Sequence, residues 1–233
     1  MVLDVRVVLV EPLYQGNVGS VARVMKNFGF SDLVLVNPCK LEGEARAMSS
    51  HARDVLENAL ITGSLAKAIE DANLVIGTTG ITGLKQDEHL RLPAYEPREI
   101  KDKLKGMGGT VALLFGREDN GLTNDELKTC DMILSVPASN EYPIMNLSHA
   151  AAIVLYELSD ARVGDKPLAG QFDLKLLHEH IAEVLEDIGY PAHKKNKTLL
   201  MFKRILGRSQ LIQRELQTLR GVLREIQRNL GKY

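Results

Sequence analysis

Five short apolar runs, separated by helical patterns, constrain the fold of this 233-residue chain more than any other feature of its sequence. Each run is nearly continuous in aliphatic residues, which is typical of strands buried on both faces. The runs are Val5–Val10, Leu33–Val36, Leu74–Thr78, Val111–Phe115 and Met132–Val136. Helices are predicted between and after them, over Asn17–Phe28, Ser64–Ala72, Thr123–Thr129 and Ser148–Leu158. This alternation predicts an α/β fold, an open parallel sheet with helices on both faces.

The last part of the chain differs in pattern and in charge. Residues 164–170 contain two glycines and a proline and predict a linker between domains at residues 1–163 and 171–233. Helical apolar stripes follow, and Pro191 to Tyr233 hold 11 Lys or Arg against 2 acidic residues, although the whole chain has a net charge of -1. This asymmetry fits either an arm that binds a polyanion or a solvated helix face.

Composition and absent motifs exclude several other classes of protein. The chain is 45% hydrophobic and 25% charged, as ordinary globular proteins are. Its two cysteines, Cys39 and Cys130, support neither a disulfide framework nor a zinc site, and a reducing cytoplasm fits them best. The apolar runs are too short for a signal peptide or a membrane span. There is no GxGxxG motif, no P-loop, and no nucleophile elbow around Ser148–His149.

Chemistry is expected in three segments that follow predicted strands, because open parallel sheets bind ligands at the carboxyl ends of their strands. Residues 11–23 contain two glycines and open a helix, where anions bind, although a plain helix cap with a surface arginine would look similar. Residues 115–123 place a polar cluster after a strand, as a charged surface loop also could. Residues 136–149 form a long loop of the kind that usually has a function. Its Asn146 and Ser148 lie at a helix entry, where capping is the simplest role.

Together and in this order, the three segments resemble the three motifs of the SpoU-type RNA 2′-O-methyltransferases of the SPOUT superfamily. The residues that carry the resemblance are Asn17–Arg23 with Asn27–Gly29, Leu114–Leu122, Val136–Pro137, Met145–Ser148 and Ala150–Glu157. The helical C-terminal extension is similar to that of the TrmJ branch of the family. One position departs from the pattern: many relatives have Ser-Leu-Asn where this chain has Ile144-Met145-Asn146.

The resemblance implies an α/β parallel sheet whose C-terminal part forms a deep trefoil knot (the SPOUT fold), followed by a helical C-terminal extension. It implies S-adenosylmethionine as cofactor, tRNA as substrate, a cytoplasmic homodimer that shares its active sites, and neither a metal nor a membrane. The glycines and apolar residues of the implied cofactor site suit an adenosyl group. That site comprises Thr78, Thr79, Gly80, Leu114, Phe115, Gly116, Val136, Ile144, Met145, Asn146 and Leu147.

The implied reaction methylates the ribose 2′-oxygen of nucleotide 32, a cytidine or uridine of the anticodon loop. The family pattern assigns Arg23 to the 2′-hydroxyl and a nearby phosphate, but a guanidinium resists deprotonation, so the proton acceptor stays open. Asn17 would hold the Arg23 loop, Glu118 and Asn146 would shape the site, and Ser148 would contact the ribose or cap its helix. The candidate RNA contacts are Arg23, Arg214, Arg220, Arg224 and Arg228.

Three alternatives to this function remain. The chain could methylate another tRNA or rRNA site, or it could be a non-catalytic RNA-binding protein of the same fold, which would predict a damaged first or third motif. A small-molecule α/β enzyme with a helical dimerisation arm would leave the basic segment without a purpose.

Overall fold

The computed structural model of the chain describes residues 4–81, 88–161 and 166–232. The strands are β1 (Asp4–Val10), β2 (Asp32–Val36), β3 (Leu60–Thr62), β4 (Leu74–Thr78), β5 (Ala94–Tyr95), β6 (Met107–Gly108), β7 (Thr110–Phe115), β8 (Met132–Leu134) and β9 (Lys166–Pro167). The helices are α1 (Gln15–Asn27), α2 (Gly43–Ser49), α3 (Arg53–Glu57), α4 (Leu65–Ala68), α5 (Glu88–Arg91), α6 (Pro97–Leu104), α7 (Asn124–Thr129), α8 (Leu147–Leu158), α9 (Gln171–Asp187), α10 (Ala192–Ser209) and α11 (Gln213–Asn229).

A parallel sheet in the order β3-β2-β1-β7-β4-β8-β5 forms the centre of the molecule. Its strands are apolar at successive positions because both faces are covered by helices. In β1, Val7 and Leu9 belong to one hydrophobic cluster, and Val8 and Val10 belong to another. The predicted α/β class with a parallel sheet is therefore confirmed, and all five predicted strands are present, although β8 spans only three residues.

The sheet order brings the loops after β4, β7 and β8 to one edge. β4 lies between β7 and β8, so the carboxyl ends of the three strands are neighbours. Two hydrogen bonds fasten these ends together. The Thr78 Oγ1 hydroxyl donates to the Leu114 carbonyl (2.9 Å), and the Thr79 N–H donates to the Leu134 carbonyl (2.9 Å). The loops that follow β4, β7 and β8 therefore begin side by side at the carboxyl ends of these strands.

Some elements differ from the sequence prediction in length. β8 ends at Leu134 rather than at Val136, because its neighbour β5 is only two residues long and Ser135 N–H makes the last bond to it, at the Tyr95 carbonyl. α4 covers Leu65–Ala68 rather than Ser64–Ala72, because the chain turns back to begin β4. Across the described residues, no helix combines the length and the apolar character that a membrane crossing requires.

The C-terminal helices α9 to α11 form their own hydrophobic cluster, in which Leu177 and Leu216 are fully buried. The predicted linker at residues 164–170 is partly structured: β9 pairs with β6, and Leu168 bridges to Ile212. Its Gly164 and Asp165 lie outside the described residues, as do residues 1–3, 82–87 and 162–163 of the predicted first domain and residue 233 of the predicted second.

Helix α10 is fastened to the sheet domain. The Arg204 side chain is 5% exposed, and its Nη2 donates to the carbonyls of Leu90 (3.0 Å) and Leu127 (2.9 Å). Beside it, Lys203 Nζ donates to the Thr129 carbonyl at 2.7 Å. Burial lowers the pKa of both basic groups. The helical extension is thus anchored by buried contacts as well as by its chain connection.

Candidate active site

A cavity opens at the sheet edge where the loops after β4, β7 and β8 meet. Its walls come from residues 78–81, residues 115–122 and the segment around Val136 and Pro143–Met145. All the residues predicted to bind the cofactor line this cavity except Leu114 and Asn146. Leu114 is fully buried in a hydrophobic cluster with alternate residues of the strand, and Asn146 caps α8 instead.

The two glycines of the predicted cofactor site differ in what prevents or permits a side chain at their positions. A Cβ on Gly80 would lie 3.7 Å from the nearest atoms of Ile144, which is ordinary van der Waals contact. A Cβ on Gly116 would lie 2.1 Å from the carbonyl carbon of Gly121 and 2.3 Å from the nitrogen of Leu122. Packing within the loop therefore excludes a side chain at Gly116, whereas at Gly80 the missing side chain leaves room for a ligand.

A chain of hydrogen bonds connects the three motif segments. The Glu118 carboxylate accepts from Leu13 N–H (2.8 Å), Tyr14 N–H (3.3 Å) and Asn17 Nδ2 (2.8 Å). Asn17 Oδ1 in turn accepts from Asn146 Nδ2 at 3.1 Å. The structure therefore brings Asn17 together with Glu118 and Asn146, from which it is 101 and 129 residues away in sequence.

The network ends at the first turn of α8. Asn146 Oδ1 accepts from the backbone N–H of Ser148 (2.9 Å) and from the Ser148 hydroxyl (2.7 Å). Asn146 is thus the N-cap of α8, which was its simplest predicted role. One amide side chain ties the helix start to the first motif while it satisfies a free N–H of the helix.

Arg23 lies apart from this network. It is six residues beyond Asn17 on α1, about 9 Å along the helix axis. Its side chain is exposed and makes no hydrogen bond or ion pair with any residue that the structure describes. Arg214, Arg224 and Arg228 are likewise exposed on α11, with Arg228 2.9 Å from Glu225, whereas Arg220 is partly buried. The candidate RNA-binding arginines are therefore mostly available to a ligand.

The loop after β7 is held in shape by Arg117. Its guanidinium bonds to Glu126 on α7 (3.0 Å) and to Glu11 after β1 (2.7 Å), and these bonds raise its pKa above the ordinary arginine value. Although burial opposes it, the bond from Arg117 holds the pKa of Glu126 below its usual range. Arg117 and Gly121 also exchange both backbone hydrogen bonds across the loop.

Sequence reasoning missed several residues that line the cavity. Asp119, Asn120 and Gly121 belong to a segment that the sequence marked as polar, so their presence follows from the loop as a whole. Arg91 carries no such signal, because it comes from the short helix α5 outside all three segments. Within the described ranges, no group of three His, Cys, Asp or Glu side chains is arranged to hold a metal ion.

Removing the Glu118 carboxylate is expected to loosen the junction of the three segments. Because Glu118→Ala leaves two N–H groups and the Asn17 amide without this acceptor, we expect the free energy of unfolding to fall by about 1–2 kcal/mol. Urea unfolding measures the change. Asp119→Ala, an exposed neighbour without a described partner, is the control and should change stability by less than about 0.5 kcal/mol. Equal effects of the two variants would contradict the prediction.

Comparison with known proteins identifies the family. A model described as the SpoU rRNA methylase family matches residues 4–156, and one described as the C-terminal domain of the tRNA methyltransferase TrmJ matches residues 172–232. The chain belongs to the SpoU methylase family. The resemblance carried by the three motifs is therefore confirmed, and the SpoU family makes this chain a methyltransferase.

Individual relatives of this SpoU-family chain are similar over nearly its whole length. It is 40% identical over 227 residues to the tRNA (cytidine-2′-O-)-methyltransferase TrmJ of Methanocaldococcus jannaschii, an alignment that covers 94% of this chain and 98% of the relative. It is 38% identical over 244 residues to the tRNA (cytidine/uridine-2′-O-)-methyltransferase TrmJ of Pectobacterium atrosepticum, with 98% of each chain covered.

Solved structures of SpoU relatives share the fold. TrmJ from Z. mobilis ZM4 matches with a TM-score of 0.76 and 30% identity, over 95% of this chain and 98% of that one. The SpoU methyltransferase AviRb from Streptomyces viridochromogenes, solved in complex with the cofactor AdoMet, matches at a TM-score of 0.53 and 19% identity. That match covers 68% of this chain and 60% of AviRb, and at this identity it shows a common fold alone.

Proposed function

We propose that this protein is an S-adenosylmethionine-dependent tRNA ribose 2′-O-methyltransferase that acts on nucleotide 32, a cytidine or uridine, in the cytoplasm where tRNA is found. The observation that carries the proposal is the hydrogen-bonded network that joins Asn17, Glu118 and Asn146 beside the cavity. It assembles the three motif segments of a methyltransferase family. The names of the TrmJ relatives support tRNA cytidine and uridine as the substrate nucleotides.

The residues of the cavity fit the cofactor. Phe115, Val136 and Ile144 offer apolar walls, and Gly80 leaves space that a side chain would fill. Thr78, Thr79, Gly116, Met145 and Leu147 would complete the contacts proposed for this site. When bound, S-adenosylmethionine supplies an electrophilic methyl group. The chain's own part is to hold the ribose 2′-oxygen in line with that group and to exclude water from it.

Arg23 is the residue proposed to act on the RNA. Its exposed guanidinium has no partner among the described residues, so it can bind a phosphate through two parallel hydrogen bonds and orient the neighbouring 2′-hydroxyl. Asn17 fixes the start of the helix that carries Arg23, through its bonds to Glu118 and Asn146. The Ser148 hydroxyl already donates to Asn146, so its oxygen keeps lone pairs for a ribose hydroxyl.

A homodimer with a knotted cofactor site is part of the proposal. Ile153 and Tyr156 of α8 remain 37% and 63% exposed, which leaves an apolar helix face for a second copy. A partner could also bring its Arg23 to the cavity, since Arg23 lies outside the network of its own chain. The proposed knot is supported by the match of residues 4–156 to the SpoU family model.

We also propose that residues 1–163 form the methyltransferase domain and residues 171–233 an RNA-docking extension, joined by residues 164–170. The two family matches, at residues 4–156 and 172–232, support this division, and so does the separate hydrophobic cluster of α9 to α11.

The experiment that tests the proposed function is methyl transfer from S-adenosylmethionine to tRNA that lacks modifications, followed by mapping of the 2′-O-methylated nucleotide. We expect methylation at nucleotide 32, and none in a transcript that carries a 2′-deoxyribose there. Methylation only at another tRNA or rRNA position would correct the target, and binding without transfer to any RNA would contradict the enzymatic assignment.

Charge reversal on α11 tests the docking role. Changing Arg214, Arg220, Arg224 and Arg228 to Glu is expected to weaken tRNA binding and to flatten its salt dependence. The logarithmic salt slope should shrink by about 0.7 to 0.9 for each phosphate contact that is lost. Filter binding over a range of salt concentrations measures both quantities. Truncation is less suitable, because it would strip the buried Arg204 contacts from the sheet domain.

The matched control reverses four positive charges on the sheet domain, at Arg46, Arg53, Lys67 and Lys105, all of them exposed, whereas Arg220 of the α11 set is partly buried. Lys105 is paired with Asp102 as Arg228 is paired with Glu225, so the two sets are comparable. If the α11 set lowers tRNA affinity no more than the control set, the arm does not dock RNA and its charge is a solvated surface.

A further inference from the structure

The charged residues that line the cavity in the described part of the chain are Arg91, Arg117, Glu118 and Asp119. Two of them are committed to the protein itself. Arg117 is paired with Glu126 and Glu11, and the Glu118 carboxylate accepts from two backbone N–H groups and from Asn17. Neither of these charges is free to take a ligand without giving up contacts that shape the loops.

Arg91 and Asp119 differ from Arg117 and Glu118 in exposure and in hydrogen bonding. Arg91 ends α5 and is partly exposed, and Asp119 is exposed in the loop after β7. Neither makes a hydrogen bond or ion pair with any residue that the structure describes. Counting only the described residues as partners, the cavity therefore presents one unpaired positive charge and one unpaired negative charge, on walls that come from different parts of the chain.

We propose that Arg91 and Asp119 bind the amino-acid end of S-adenosylmethionine, Arg91 at its carboxylate and Asp119 at its ammonium group. This inference rests on the proposed function, because it takes the cofactor as the ligand. A guanidinium binds a carboxylate with two parallel, charge-assisted hydrogen bonds, and a carboxylate accepts from an ammonium group in the same way. The apolar walls at Phe115 and Ile144 are left for the adenosyl group.

The backbone next to Arg91 is held by a hydrogen bond from α10. The carbonyl of the preceding residue, Leu90, accepts from the buried Arg204 of α10 at 3.0 Å, and Leu90 itself is 2% exposed. The backbone at Arg91 is therefore already ordered, and ligand binding has to order only the Arg91 side chain.

An RNA phosphate is the competing anion for Arg91. A phosphate would account for the arginine, but Asp119, on another wall of the same cavity, would repel it. A zwitterion uses both charges at once. The joint presence of Arg91 and Asp119 therefore favours the amino-acid end of the cofactor over the backbone of the substrate.

Calorimetry on the full chain with two ligands tests the proposal. S-adenosylhomocysteine carries the amino-acid end, whereas 5′-methylthioadenosine lacks it, and neither can react. We expect Arg91→Gln and Asp119→Asn each to raise the Kd for S-adenosylhomocysteine by about 10- to 100-fold. The Kd for 5′-methylthioadenosine should stay within about twofold in both variants. Arg98→Gln, which neutralises an exposed arginine on α6 outside the cavity, should leave both constants unchanged.

Each other outcome overturns the assignment in a recognisable way. Equal losses for both ligands would mean that the residues shape the cavity, and no loss for either would mean that they do not bind the cofactor. A change confined to tRNA affinity and its salt slope would assign Arg91 to a phosphate instead. If the wild-type protein binds neither ligand, the proposed function itself fails, whereas wild-type binding with unaffected variants removes only the role of this pair.

Discussion

Gly116→Ala is expected to abolish cofactor binding and to lower the free energy of unfolding by about 3 kcal/mol. The new Cβ would lie 2.1 to 2.4 Å from backbone atoms of Gly121 and Leu122. These atoms have little room to move, because Arg117 and Gly121 exchange two backbone hydrogen bonds and the Arg117 guanidinium is paired with both Glu11 and Glu126. The loop must open, and with it one wall of the cavity. Thermal unfolding and calorimetry with S-adenosylhomocysteine measure the two effects.

Gly80→Ala is the control for this prediction. Its Cβ would lie 3.7 Å from Ile144, so the free protein should keep its stability to within about 0.5 kcal/mol. Any loss of cofactor affinity in this variant then reports the ligand rather than the fold. The prediction is wrong if Gly116→Ala binds S-adenosylhomocysteine and unfolds as the wild type does.

Arg23→Ala is expected to slow methyl transfer by about 100- to 1000-fold, because the ribose loses the group that orients its 2′-hydroxyl. The Kd for S-adenosylhomocysteine should change less than about twofold, since Arg23 does not line the cavity of its own chain. Single-turnover transfer to tRNA measures the rate. Arg23→Lys keeps the charge but not the planar fork, so it should recover only part of the rate.

Arg53→Ala provides the matched control. Arg53 is an exposed arginine on α3, which packs against α1, and it has no partner among the described residues. The Arg53→Ala substitution removes the same charge from the same side of the sheet domain and should leave the rate of methyl transfer within about twofold of the wild type. Full activity in Arg23→Ala, or an equal loss in both variants, would remove Arg23 from the reaction.

The parts of the fold that sequence reasoning could predict are those with a long hydrophobic repeat. The sequence predicts β4 with its observed bounds, because polar residues flank its apolar run on both sides. It predicts α8 to within one residue, as Ser148–Leu158 against the observed Leu147–Leu158, because the apolar stretch extends over three turns. The edge strand β5 and the pair β6 and β9 span only two residues each, too short for any periodicity. Their positions follow from tertiary pairing, which one sequence does not express.

The sequence predicts those residues of the candidate site that belong to the three motif segments. Asn17, Glu118 and Asn146 come from three such segments, and the sheet order brings them into hydrogen-bonding distance. Leu114 was included with Phe115 as one stretch, but alternate residues of a strand face opposite sides, and only Phe115 lines the cavity. Arg91 was missed because its place at the cavity depends on how α5 sits against the domain.

The anchoring of α10 by Arg204 affects the distance between the basic surface of α11 and the cavity. If α10 swung away from the sheet domain, Arg204 and Lys203 would exchange the carbonyls of Leu90, Leu127 and Thr129 for water, so these contacts hold α10 only while it stays docked. While α10 stays docked, the basic surface of α11 and the cavity therefore keep a constant separation. If α11 docks RNA as proposed, an RNA bound there presents to the cavity the ribose that lies at this distance, whatever base it carries.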